Sequence, residues 1–154
     1  MALVLEWDFD LYQKDELLIA IYTQFVPCQL AYWLNKILDI RLIRAPKDLY
    51  DEKSNTFFPL FSYEEEQTWQ LITNKVNKSM PELPAETEQV YIKELFQVDY
   101  LLRVSHREDT IACISLLKGQ KWIDMLYEIP LFPQKKISQK EQKRLDEIKA
   151  KLIF

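Results

Sequence analysis

The chain has 154 residues, 48% of them hydrophobic and 29% charged, and its 20 bases and 24 acids leave a net charge of −4. That length suits one domain burying roughly two thirds of the surface its unfolded form exposes, and the composition excludes a disordered chain. An acidic body is also a poor match for nucleic acid, where phosphate neutralisation supplies most non-specific affinity, so nucleic-acid binding is not expected.

The opening ten residues have no basic stretch and turn acidic at once, which does not fit a signal peptide. No apolar run approaches the roughly 20 residues needed to span a bilayer, so no membrane association is expected. Cys28 and Cys113 are the only cysteines. Without a C-x-x-C pair they suggest neither a disulfide framework nor a zinc site, and a reducing cytoplasm is the expected setting.

Leu5, Trp7 and Phe9 alternate with Glu6, Asp8 and Asp10, the pattern of a half-buried strand. A strand is next expected over 17–22, then a helix over 27–38. Pro27 suits a first helical position, where its missing N–H costs nothing, and Leu30, Trp33, Leu34, Ile37 and Leu38 form a wide apolar stripe. A strand over 40–44 closes this unit before Pro46. Residues 46–56 and 75–89 read as loops. Between them, apolar residues alternate over 57–63 and 68–74 around an acidic turn (Glu64, Glu65, Glu66), which predicts a hairpin whose first arm, carrying Pro59, is an edge strand.

A second strand–helix–strand unit follows, over 98–104, 110–118 and 122–128. Ser105-His106-Arg107-Glu108 is a capping-box sequence for its helix, and Gly119, the only glycine, is placed to end it. Ser138-Gln139-Lys140-Glu141 is another capping box, opening a basic helix over about 139–151. Residues 134–154 hold seven bases against three acids, so the rest of the chain is more acidic than the whole. Leu145, Ile148 and Leu152 should pack this tail on the body. The expected architecture over 1–154 is a single α+β domain of ferredoxin-like or ACT-like kind: a mostly antiparallel sheet with two helices on one face, an inserted hairpin and a short C-terminal helix.

Chemistry is thinly represented. One glycine cannot build a P-loop or a dinucleotide fingerprint, so no cofactor is expected. His106, the only histidine, lies seven residues from Cys113 on one predicted helix, too far for a base–nucleophile hydrogen bond, so no catalytic pair and no metal site is expected there. Glu94 and Asp99 flank the start of a predicted strand, with the Tyr100 hydroxyl beside them. They are candidate binding residues, for a cation or for proton transfer. The competing reading is architectural, with Asp99 accepting hydrogen bonds from backbone or from Arg41, Arg44 or Arg103. The hairpin aromatics Phe57, Phe58, Phe61, Tyr63 and Trp69 could stack bases, but in surroundings of the wrong charge.

Ile92-Lys93-Glu94-x-x-x-Val98-Asp99-Tyr100, continuing to Val104, resembles the signature of the bacterial IPExxxVDY family, with Lys93 where the family carries proline. Leu30-Ala31-Tyr32-x-Leu34-Asn35-Lys36, Trp69-x-Leu71-Ile72-x-Asn74-Lys75 and Leu152-Ile153-Phe154 are similar to further blocks of that family. The resemblance implies a small, soluble, cytoplasmic bacterial protein and brings no activity, cofactor or substrate. The function expected from residues and resemblance together is a non-enzymatic binding or interaction module, a homodimer or the partner of another protein. The alternatives are a small-molecule pocket with acid–base chemistry at Glu94, Asp99 and Tyr100, and an RNA-binding sheet.

Overall fold

A computed structural model describes residues 16–65, 68–78, 87–105, 110–133 and 135–154. The strand expected around Leu5, Trp7 and Phe9 lies outside them, as do His106, Arg107 and Glu108 of the capping box. The fold is α+β, and every strand pairing among the described residues is antiparallel.

Strand β1 (Leu17–Thr23) leads into α1 (Pro27–Leu38), which starts with Pro27 in the first turn and ends where Asp39 turns left-handed at φ 54°. Short strands follow: β2 (Ile43–Arg44), β3 (Leu49–Asp51) and β4 (Thr56–Phe58). Next come β5 (Leu60–Glu64) and β6 (Thr68–Thr73), then β7 (Lys75–Lys78), β8 (Thr87–Val90) and a 3-10 turn over Lys93–Leu95. Strand β9 (Tyr100–Val104), helix α2 (Thr110–Lys118), strand β10 (Ile123–Ile129) and helix α3 (Gln139–Lys151) complete the chain. Six strands form one sheet in the order β10-β1-β9-β6-β5-β2, while β3–β4 and β7–β8 are separate two-stranded ribbons.

Three expectations need correction. The strand expected over 40–44 shrinks to two residues at the far edge, beside β5 rather than near β1. The Asn35 side chain explains this: its amide donates to the Leu42 carbonyl at 3.1 Å and its oxygen accepts the Leu42 N–H at 2.7 Å, which keeps that backbone folded against α1. The hairpin arm expected over 57–63 is split at Pro59, which has no N–H to offer a ladder. Phe58 pairs backward to Leu49, and Leu60 pairs forward to Ile72. Residues 46–56 and 75–89 are not plain loops, since they supply β3, β7 and β8.

The sheet is buried on both sides. Leu17, Ile19 and Ile21 of β1 join Leu30 and Leu34 of α1 and Leu117 of α2 in one core. Leu18 and Ala20 face the other way, into a core closed by Phe58, Ile92, Leu95 and, from α3, Leu145 and Ile148. Ser138 caps α3 by accepting the Glu141 N–H at 3.2 Å. The end of α3 is tied down by Arg103, which donates to the Leu152 carbonyl at 2.7 Å, and by the Tyr91 hydroxyl, which donates to that of Lys151 at 2.9 Å. No helix among the described residues is long and apolar enough to cross a membrane.

Candidate functional site

Asp99 and Tyr100 sit where β9 meets the end of β1, and backbone geometry places them there. Asn74, directly after β6, is fully buried, and its side chain holds the chain that precedes β9. The amide donates to the carbonyls of Leu95 and Val98, each at 2.9 Å, and the side-chain oxygen accepts the Ile92 N–H at 2.9 Å. The Asn74 backbone accepts the Tyr91 N–H and donates to the Asp99 carbonyl. The stretch from Ile92 to Asp99 is thus wrapped around one asparagine.

The Asp99 carboxylate accepts the Thr23 N–H at 3.1 Å and faces the Lys75 ammonium at 3.8 Å. Its partners are backbone and a lysine. Arg44 instead pairs with Asp48, and Arg103 with Glu16 and Gln70. Burial pushes the Asp99 carboxyl above its ordinary value; the Thr23 N–H and Lys75 pull it back, while Glu88 and Asp124 push it further up. The Tyr100 hydroxyl donates to the Phe25 carbonyl at 2.6 Å, and burial pushes it well above the usual phenol range. Opposite Tyr100 on β6, the Thr73 hydroxyl is buried with no hydrogen-bond partner among the described residues. Nearby on β1, burial and a hydrogen bond with Tyr127 at 3.2 Å push Tyr22 up to about 12.

Glu94 belongs to different surroundings. It lies in the 3-10 turn against α3, where its carboxyl beside that of Glu147 raises the latter's pKa. It lines a hollow of about 460 Å³ with Asp51, Lys93, Glu147 and Lys151. Tyr100 faces the opposite core, between sheet and α1. Asp99 and Tyr100 are therefore brought together, and Glu94 is held on the other side of the sheet. Of the hairpin aromatics, Phe58, Phe61 and Trp69 are buried and Phe57 is exposed. No group of three or more His, Cys, Asp or Glu that could hold a metal ion occurs among the described residues.

The raised carboxyl of Asp99 has a sign that can be checked. The native state holds that proton more tightly than the unfolded chain, so this group adds stability in acid and loses it as pH rises from the ordinary carboxylate range through its native pKa. Asp99→Asn keeps an oxygen for the Thr23 N–H and removes the ionisation. Urea midpoints across that range should show a flatter pH slope for the variant, which is no less stable than wild type at neutral pH. Parallel slopes in the two proteins would rule this role out.

Compared with protein-family models, with curated proteins and with solved structures, the chain matches none.

Proposed function

We propose that the chain is a non-enzymatic interaction module that works as a pair of identical copies joined through α2. One observation carries the reading. Residues 110–117 contain no charge, yet Ile111 and Leu116 are 64% and 54% exposed, while Leu117 is fully buried. A helix that is apolar around its circumference calls for cover on more than one side. Ala112 and Ser115 are small enough to let a second helix approach closely, and the Ser115 hydroxyl already donates to the Ile111 carbonyl at 3.1 Å, so its burial strands no donor. Helix α2 is only about 13 Å long, so its exposed face alone cannot supply the roughly 800 Å² that each partner of a stable pair contributes. Strand β10, which connects to α2 and carries Met125 at 55% exposure, supplies further apolar surface.

The finer fold reading supports a module of this kind. The sheet order β10-β1-β9-β6, with α1 following β1 and α2 joining β9 to β10, supports reading the core as a split β-α-β arrangement of ferredoxin-like kind. The likeness of residues 92–104 to the IPExxxVDY family favours a bacterial cytoplasmic protein. Light scattering over a dilution series is expected to give a two-chain mass that Leu116→Glu converts to one. A one-chain mass for the wild type at every concentration rejects the pairing.

A further inference from the structure

A hollow of about 610 Å³ lies away from α2 and from Asp99, between β2 and the β3–β4 ribbon. Its floor is Ala45, Pro46 and the rings of Tyr50 and Phe57. These two residues face each other across the ribbon, with centroids 4.8 Å apart and planes at 37°. Both remain open to solvent, at 46% and 61% exposure. The Tyr50 hydroxyl donates to the Asn55 side chain at 2.7 Å, tying the shelf to the turn in which Asn55 adopts the left-handed conformation at φ 50°.

The rim is basic. Arg44 grips Asp48 through both carboxylate oxygens at 2.7 and 2.8 Å, which fixes the guanidinium beside the hollow, and Lys47 stands next to it. Two bases against one acid make this rim positive on a chain whose net charge is −4. An apolar aromatic floor with a few charged groups at its margin is the kind of lining that small-molecule sites use, here in an open, shallow hollow.

From the open Tyr50–Phe57 shelf and the Lys47–Arg44 rim beside it, we propose that this hollow binds a small flat organic anion, an aromatic carboxylate or phosphate. The ring lies on the two aromatics, whose faces favour offset or tilted stacking. The anionic group meets Lys47 and the outer edge of the Arg44 guanidinium.

The test uses the full chain, labelled for amide NMR and titrated with 2-naphthyl phosphate, 2-naphthoate, the neutral 2-naphthylmethanol and inorganic phosphate. The two naphthyl anions should shift amides within residues 44–58, and their relative affinity tells carboxylate from phosphate. The neutral alcohol and bare phosphate should each bind about tenfold more weakly or worse, equivalent to about 1.4 kcal/mol. Lys47→Glu and Phe57→Ala should weaken the better anion about tenfold. Both positions are exposed, and an unchanged amide spectrum elsewhere shows that each variant still folds. The proposal is overturned if the naphthyl anions leave residues 44–58 unmoved, if the neutral alcohol binds as well as they do, or if both variants bind like wild type.

Discussion

Asn74→Ala is expected to cost about 3 kcal/mol or more, a large part of the 5–15 kcal/mol that holds a domain folded. The substitution removes a small polar side chain, leaves two buried backbone groups, the Ile92 N–H and the Val98 carbonyl, without partners, and takes from the Leu95 carbonyl one of its two donors, the other being the Val98 N–H. Each such orphan costs about 1–3 kcal/mol, because no water reaches it. For a chain of this size the melting temperature should fall by roughly 6–12 °C. Asn74→Asp distinguishes loss of hydrogen bonds from loss of volume. It keeps an oxygen for Ile92 but turns a carboxylate toward two carbonyls, so it should be at least as damaging near neutral pH and partly relieved in acid, where the protonated acid can donate to one of them. Urea unfolding of both variants decides the matter, and midpoints equal to wild type would mean that the 92–99 segment is held by its apolar side chains alone.

That asparagine also marks where sequence reading stops. The helices were legible because their signals are local: Pro27 ahead of an apolar stripe, Gly119 after one, Ser138 three residues before Glu141. Asp99 and Tyr100 were legible as a pair because they are neighbours. What they touch was not, since Thr23 lies 76 residues from Asp99 and meets it only through the β1–β9 register. Glu94, five residues from Asp99, looks close in sequence, yet the 3-10 turn carries it to α3. The Tyr50–Phe57 shelf was hidden for another reason. Pro59 gives no sign by itself of which neighbour its flanking residues will pair with, and the ribbon closes through Asn55 in a left-handed conformation that asparagine tolerates better than most residues.

One signal was present in the chain and points to a second test. Strands exposed on one face alternate apolar and polar residues, whereas strands covered on both faces read as unbroken apolar runs. Residues 17–21 (Leu, Leu, Ile, Ala, Ile) and the pair Leu101–Leu102 are such runs, and a sheet with helices on one face only would leave half of them wet. Leu101 faces the core closed by α3 and the Ile92–Leu95 segment, while Leu102 faces α1 and α2; both are fully buried. Leu101→Ala and Leu102→Ala should therefore cost similar amounts, about 2–5 kcal/mol each, from lost transfer energy and the cavity left behind. Because the two side chains occupy separate cores, the double variant should come close to the sum of the singles. Chemical denaturation provides the comparison. A Leu101→Ala cost below about 1 kcal/mol, beside a full cost at Leu102, would show that α3 and the 92–95 segment do not seal the second face in solution. Equal costs would establish α3 as a working layer of the fold, with Arg103 and Tyr91 fastening its end to the sheet and to the Asn74-held loop.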